Sequence, residues 1–274
     1  MLLSLTLILR ATGEEKVQHL RDLISLQQTR DAFRGTKGTI VIVDCTTGEK
    51  VISNSKLSHE VFPPCSTFKI WNALIGLEEG IIKDPAESFY KWDGQRRQIA
   101  EWNKDLTLAD AFKVSCVPAF QTLARSIGGE RMKSWIRKID YGNHDLSAGV
   151  DTFWLPKAGR TTILISPEEQ TELICRLLNG KLPVRGKSVS TLCEIMKLED
   201  SHLGHLYGKT GSGVLILPSV DNVSSEDPSI GWLVGFLRHQ DKNYAYACIV
   251  IGPNQSGKDA RHVVETVFRQ NSML

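Results

Sequence analysis

Residues 63–80 of this 274-residue chain read PPCSTFKIWNALIGLEEG, and this stretch anchors the interpretation of the rest. The proline pair ends any preceding strand and leads into a helix from about Ser66, whose apolar residues recur at helical spacing until Gly80. Ser66 and Lys69 are three positions apart, so their hydroxyl and amine are neighbours on the first helical turn. Lys69 also shares the apolar stripe of the helix, which directs its stem toward the core.

This pairing of side chains points to nucleophilic catalysis. Serine attacks well only when a base removes its proton. Lysine can be that base only when it is unprotonated, and burial lowers its pKa toward that state. The pattern S-x-x-K occurs by chance about once in a chain of this length, so it needs support from other residues.

Periodic segments on both sides of this helix predict the architecture. Helices are predicted at 14–34, 107–127, 129–138, 167–179 and 260–270, and strands at 39–44, 50–53, 205–209, 230–238 and 244–251. The helix at 167–179 has a strong start, because Ser166 is a capping residue and Glu169 stands three positions later.

Strands at both ends of the chain with helices between them predict an α+β fold. We expect an antiparallel sheet flanked by terminal helices, with an inserted helical region. The whole chain, 1–274, is then a single catalytic domain. Its sheet subdomain comprises about 14–85 and 201–274, and its helical subdomain about 86–200.

The bulk composition excludes several classes of function. The chain has 33 basic and 31 acidic side chains and 41% hydrophobic residues, as in an ordinary globular protein. This balance does not favour a nucleic acid or an anionic membrane as partner. The apolar segment 1–9 is too short to span a bilayer. It is either an incomplete or atypical secretory signal or a simple apolar tail.

The cysteine and histidine patterns indicate no metal site. Six cysteines show no CxxC spacing, so buried free thiols are expected, although a disulfide near the site involving Cys65 and Cys116 stays open. His202 and His205 could share a metal, but no third ligand stands nearby, and a surface pair is the better interpretation.

Two further elements can serve a Ser66–Lys69 pair. Ser115, in the helical region, could relay a proton to a leaving nitrogen. Lys209-Thr210-Gly211, on a predicted strand, could hold a substrate carboxylate, with the glycine allowing a close approach. A nucleotide-binding P-loop at Gly208-Lys209-Thr210 is rejected, because Leu203 stands where that motif needs glycine.

Six motifs in order over about residues 38–268 make the chain similar to the class D, oxacillinase-type serine β-lactamases. They are Pro64-Cys65-Ser66-Thr67-Phe68-Lys69, Ser115-Cys116-Val117, Tyr141-Gly142-Asn143, Phe153-Trp154-Leu155-Pro156, Tyr207-Gly208-Lys209-Thr210-Gly211 and Gly231-Trp232-Leu233-Val234-Gly235.

The resemblance implies a β-lactamase/transpeptidase-like fold and a role for each matching residue. Ser66, Lys69, Ser115 and Trp154 are implied to be catalytic. No metal or cofactor is implied except CO₂, which carboxylates Lys69 to a carbamate base that the Trp154 indole binds. The apolar shelter of the carbamate is implied to be Val117, Phe120 and Leu155. The substrate-binding residues are implied to be Lys209, Thr210, Gly211, Ser212 and Arg261, with the Ser66 and Ser212 backbone N–H groups as the oxyanion site.

The expected function is hydrolysis of the β-lactam amide bond, and hence antibiotic resistance. Two alternatives share the fold: a penicillin-sensing receptor domain that is acylated without turnover, and a D,D-peptidase of the penicillin-binding type. Valine at 117 argues against the sensor, and the Trp154 and Tyr141 motifs argue against the peptidase. We expect small β-lactam substrates, no nucleic-acid partner, no membrane span, a monomer or homodimer, and a periplasmic or secreted location in a bacterium.

Overall fold

A six-stranded antiparallel sheet forms the centre of the fold. The computed structural model describes residues 19–157, 159, 161–215 and 227–274. The strands in chain order are β1 Lys37–Asp44, β2 Lys50–Ile52, β3 Ser88–Tyr90, β4 Leu106–Thr107, β5 Lys197–Asp200, β6 Gly204–Val214, β7 Ser229–His239 and β8 Lys242–Gly252. The large sheet has the order β2-β1-β8-β7-β6-β5, and β3 pairs with β4 separately.

Helices cover both faces of the large sheet. They are α1 Leu20–Leu23, α2 Leu26–Asp31, α3 Ser55–His59, α4 Lys69–Glu78, α5 Leu108–Lys113, α6 Val117–Ile127, α7 Gly129–Ile139, α8 Pro167–Leu178, α9 Gly186–Met196 and α10 Gly257–Gln270. Short 3₁₀ turns occur at Cys65–Phe68 and Ala100–Trp102.

The alternation of β7 explains why both faces are covered. Trp232, Val234 and Phe236 belong to the large core shared with α4 and α6. Leu233 and Leu237 point the other way, into a second core with α10. Successive strand residues face opposite sides, so a strand that is apolar throughout needs a helical layer on each side. The predicted antiparallel α+β architecture is confirmed.

The predicted start of α8 is also confirmed. The Ser166 side chain accepts a hydrogen bond from the Glu169 backbone N–H, and the Glu169 side chain accepts one from the Ser166 N–H. This reciprocal arrangement satisfies two of the N–H groups that a helix leaves free at its start.

Two predicted helices are interrupted. The helix expected at 14–34 is divided into α1 and α2, because Ser25 caps a new helix at the break; residues 14–18 lie outside the described residues. The helix expected at 107–127 is divided into α5 and α6 at Ser115 and Cys116. Pro118 contributes to this break, since proline is tolerated in the first turn of a helix but not in its interior.

The expectation that all six cysteines are free thiols is wrong for two of them. Cys45, after β1, and Cys175, in α8, form a disulfide with their Cα atoms 5.0 Å apart. Sequence cannot supply such proximity for residues 130 positions apart. Cys65 and Cys116 are free, as expected.

The helical subdomain predicted at 86–200 includes α8, which packs on β1 and β8 of the sheet. The division into two subdomains at about residues 85 and 200 therefore stays a prediction. Among the described residues, no helix is long and apolar enough to cross a membrane.

Candidate active site

The Ser66 hydroxyl and the Lys69 amine meet at the start of α4. Ser66 lies in the 3₁₀ turn, and Lys69 is the first residue of the α-helix that continues from it. Their Oγ and Nζ atoms are 2.8 Å apart. Lys69 has no exposed surface, whereas Ser66 is partly exposed and can be reached from solvent.

Ser115 supplies two more partners to the same amine. Lys69 Nζ lies 2.8 Å from the Ser115 carbonyl oxygen and 2.9 Å from Ser115 Oγ. Both contacts are made possible by the break between α5 and α6, where Ser115 adopts a positive φ of 52°. Non-glycine residues rarely adopt this conformation, and strain of this kind is found mainly at functional sites.

Burial lowers the pKa of Lys69 well below its usual value, and the nearby Lys209 ammonium lowers it further. The Phe120 ring, whose centroid is 5.6 Å from Nζ, forms part of the apolar surroundings. A neutral amine is therefore favoured at this position, because a low-dielectric environment penalises the charged form.

The predicted apolar shelter consists of one buried and two half-buried residues. Phe120 is fully buried in α6, while Val117 and Leu155 are half-buried. Trp154 is also fully buried, and its ring stacks on Phe68 at a centroid distance of 5.4 Å. Its indole Nε1 has no hydrogen-bond partner among the residues that the structure describes.

A second buried lysine lies on β6. Lys209 is only 4% exposed, and burial lowers its pKa from the usual 10.5 to about 7. Its Nζ donates to the Thr210 carbonyl oxygen at 3.1 Å and lies 5.6 Å from the Phe112 ring centroid. Sequence reasoning did not single out Phe112, although it stands one helical turn before Ser115 on an apolar position.

Two glycines bring β6 close to the nucleophile. A Cβ atom at Gly211 would lie 3.0 Å from the Pro64 carbonyl oxygen. One at Gly213 would lie 2.7 Å from Cys65 Sγ, so a side chain at either position would force its neighbour to shift. Since β5 pairs only with the 205–207 part of β6, the Lys209 end has no strand on that side among the described residues. An open strand edge beside Ser66 can accept an extended substrate.

The start of α10 lies against the same strand. The Ser212 side-chain oxygen accepts a hydrogen bond from the Gly257 N–H at 2.9 Å. Arg261, one turn further along, donates through Nε to Glu265 at 2.6 Å. The structure thus brings Ser66, Lys69 and Ser115 into direct contact, whereas Arg261 is engaged with Glu265 rather than with β6.

The histidine pair does not resemble a metal centre. His205 Nδ1 lies 2.8 Å from Asp200 Oδ1, in an exposed pair. Within the described part of the chain, no three His, Cys, Asp or Glu side chains are arranged to hold a metal ion.

Comparisons with known proteins agree along most of the chain. The family model of the penicillin binding protein transpeptidase domain matches residues 38–271. Probable beta-lactamase YbxI of Bacillus subtilis is 31% identical over 96% of this chain and 91% of its own length. Beta-lactamase OXA-48 of Klebsiella pneumoniae is 35% identical over 87% of this chain and 85% of its own. The structure of FUS-1 (OXA-85), a class D beta-lactamase from Fusobacterium nucleatum subsp. polymorphum, matches with a TM-score of 0.79 and 34% identity, covering 89% of this chain and 97% of that one.

Proposed function

Because this chain belongs to the penicillin-binding-protein transpeptidase family and, within it, to the class D β-lactamases, we propose that it opens β-lactams through an acyl-enzyme on Ser66, with Lys69 as the base. Its reaction is hydrolysis of the cyclic amide bond of β-lactam antibiotics, which inactivates them and confers resistance. The observation that supports these residue roles is the fully buried Lys69 amine, 2.8 Å from Ser66 Oγ.

The three contacts of Lys69 support a proposed route for the proton. A neutral amine has two N–H groups and one lone pair. The Ser115 carbonyl oxygen can only accept, so one N–H is directed to it. The remaining N–H and the lone pair are shared between the Ser66 and Ser115 hydroxyls. Lys69 can therefore take the Ser66 proton as Ser66 attacks, and Ser115 can carry a proton on to the departing ring nitrogen.

The surroundings of Lys69 fit a carbamate formed with CO₂. Only a neutral amine reacts with CO₂, and burial favours the neutral form of Lys69. The buried Trp154 Nε1, which has no hydrogen-bond partner in the described part of the chain, can only donate, and this suits an anionic neighbour. When present, this group supplies an anionic oxygen as the base for both acylation and deacylation. Val117, Phe120 and Leu155 would limit the access of water to it.

On β6, we propose that Lys209 and Thr210 bind the substrate carboxylate, with Arg261 turning away from Glu265 to join them. Gly211 allows the substrate to approach, and the backbone N–H groups of Ser66 and Ser212 stabilise the oxyanion. One such donor contributes roughly 3–4 kcal/mol to the transition state.

A periplasmic or secreted location is supported by the Cys45–Cys175 disulfide, since such bonds persist in oxidising compartments. Trypsin mapping of the protein from intact cells under thiol-blocking conditions tests it, and a fully reduced Cys45 would argue for a reducing compartment.

Steady-state hydrolysis of nitrocefin, combined with mass spectrometry of the trapped adduct, tests the central proposal. We expect many turnovers per enzyme and an acyl group on Ser66, whereas a sensor would stop after one equivalent. Lys69→Ala should abolish turnover. An adduct on another residue, or full turnover by Lys69→Ala, would refute the assignment.

The carbamate is tested separately by ¹³C NMR with labelled bicarbonate. We expect a carbamate resonance in the wild type that is absent in Lys69→Ala and weakened in Trp154→Phe, a variant that keeps the aromatic packing but lacks the N–H donor. A resonance of equal intensity in Trp154→Phe would remove the indole from this role.

A further inference from the structure

We infer that Gln170, in α8, is a positioning residue for the nucleophile, which it holds in place through Thr67; this inference rests on the proposed role of Ser66. Gln170 lies 104 positions beyond Ser66 in the chain and shares no motif with it. It is nevertheless fully buried beside the turn that carries the nucleophile.

A chain of hydrogen bonds joins α8 to this turn. Gln170 Nε2 donates to Thr67 Oγ1 at 3.1 Å, and Thr67 Oγ1 donates to the Pro64 carbonyl oxygen at 2.7 Å. The direction is fixed, because an amide NH₂ can only donate and a carbonyl oxygen can only accept. The Thr67 N–H also donates to Pro64, at 3.1 Å. The two bonds from Thr67 to Pro64 span Cys65 and Ser66, and they hold the turn that carries the nucleophile.

The turn needs this support because its backbone is strained. Cys65, immediately before the nucleophile, has a φ of 52°, a region that costs a non-glycine residue roughly 1–2 kcal/mol. Such a conformation persists only where the surroundings over-determine it. The Pro64 carbonyl oxygen, which receives both bonds, also lies against Gly211 of β6. Its position therefore sets the spacing between Ser66 and the strand that carries Ser212.

The polar character of Gln170 is not explained by stability. Gln170 Oε1 is buried and makes no hydrogen bond with a described residue. The neighbouring Tyr141 hydroxyl also makes no hydrogen bond of good geometry with a described residue; burial raises its pKa well above the usual value, although its polar contacts with Gln170 and Thr67 oppose that rise. An unsatisfied buried polar atom costs about 1–3 kcal/mol, which an apolar side chain at position 170 would avoid. If Gln170 served only packing, methionine would serve as well.

Gln170→Met tests the inference, because it keeps the length of the side chain and removes both polar groups. Thr171→Val is the matched control: Thr171 is the next residue of α8, is equally buried, and its hydroxyl donates to the Glu168 carbonyl oxygen of its own helix. Stopped-flow nitrocefin kinetics separate acylation from deacylation, and thermal melting reports stability.

We expect Gln170→Met to slow acylation about tenfold, since small displacements of a reacting atom have effects of this size or larger. Its melting temperature should equal or exceed that of the wild type, and Thr171→Val should acylate at the wild-type rate. Thr67 accepts the hydrogen bond of Gln170, so Thr67→Val should acylate as slowly as Gln170→Met. Thr67→Ser, which keeps the hydroxyl, should acylate at the wild-type rate. The double variant Gln170→Met/Thr67→Val should be no slower than either single variant.

Acylation at the wild-type rate in Gln170→Met would overturn the inference, and so would a loss of rate that merely follows a lower melting temperature. Additive effects in the double variant would also overturn it, because the two residues would then act separately. Failure of the proposed function is a different outcome, since in that case the wild type itself would not form an acyl-enzyme on Ser66.

Discussion

Replacing Lys209 with methionine should make this protein more stable at neutral and acidic pH. Lys209 is 4% exposed, and burial lowers its pKa from the usual 10.5 to about 7. Among the described residues its ammonium has no carboxylate partner. It donates one good hydrogen bond, to the Thr210 carbonyl oxygen at 3.1 Å, and lies 3.5 Å from the Thr210 hydroxyl. Methionine has a similar length and no charge, so it fills the same space without the desolvation penalty.

The magnitude follows from the difference between the folded and unfolded pKa values. The fall from 10.5 to about 7 corresponds to about 5 kcal/mol, at about 1.4 kcal/mol for each tenfold change in proton affinity. Below pH 7 both states carry the proton, and the whole penalty applies. Between pH 7 and 10.5 only the unfolded chain keeps it, so the stability of the wild type rises with pH.

The penalty removed by the substitution is therefore about 5 kcal/mol at pH 6 and about 2 kcal/mol at pH 9. The lost hydrogen bond offsets about 1 kcal/mol of this gain. We expect Lys209→Met to raise the free energy of unfolding by about 4 kcal/mol at pH 6 and by about 1 kcal/mol at pH 9. Nitrocefin hydrolysis should fall at the same time, because the proposed contact with the substrate carboxylate is lost.

Urea unfolding at pH 6 and pH 9, followed by tryptophan fluorescence, measures both values. Lys133→Met is the matched control, since Lys133 is exposed on α7, and its stability should change little at either pH. A Lys209→Met variant that is less stable than the wild type at pH 6 would refute the reasoning. A gain that is equal at both pH values would also refute it, because the charge would then not be its source.

Three further perturbations have defined outcomes. Reduction of the Cys45–Cys175 disulfide, which joins residues 130 positions apart, should lower the free energy of unfolding by up to about 5 kcal/mol. Urea unfolding curves with and without reductant measure this difference, and coincident curves would contradict it. Ser115→Gly should be about 1 kcal/mol more stable than Ser115→Ala, because only glycine adopts a φ of 52° without strain. Both variants should lose acylation. Equal melting temperatures of the two variants would contradict the strain argument. Gly213→Ala should impair acylation, because its Cβ would lie 2.7 Å from Cys65 Sγ and displace the turn that carries Ser66. Unchanged stopped-flow acylation rates would show that this turn accommodates the methyl group without loss of function.

The elements that sequence predicted well are those encoded by neighbouring residues. The strands β7 and β8 are continuous apolar runs, and α8 starts at Ser166 with its cap and its Glu169. Each depends on chemistry within a few positions. The break between α5 and α6 differs, because Ser115 bends to reach the amine of Lys69, 46 positions earlier. Pro118 was the local signal that could have revealed it.

The candidate site divides in the same way. The Ser66–Lys69 contact follows from helical spacing alone, since residues three apart share a face. The Cys45–Cys175 bond, the Phe112 ring near Lys209 and the Gln170 bond to Thr67 all join distant parts of the chain. No rule of sequence spacing predicts contacts between residues so far apart in the chain. The pairing of Arg261 with Glu265, in contrast, was accessible as an i, i+4 pair on α10.

The features proposed for catalysis are also those that oppose folding. A buried Lys69 amine, a Trp154 indole with no hydrogen bond to any described residue, and positive φ angles at Cys65 and Ser115 each cost free energy in the resting protein. Cys65 precedes Ser66 in the chain, the Lys69 amine contacts the Ser66 hydroxyl, and Ser115 contacts the same amine. The cost is therefore concentrated where a β-lactam would bind. The strands β1 and β8 and the Cys45–Cys175 disulfide contribute no residue to the proposed site, and they supply compensating stability. A ligand that partners the amine and the indole would remove part of the cost, and the site would then be more stable occupied than empty.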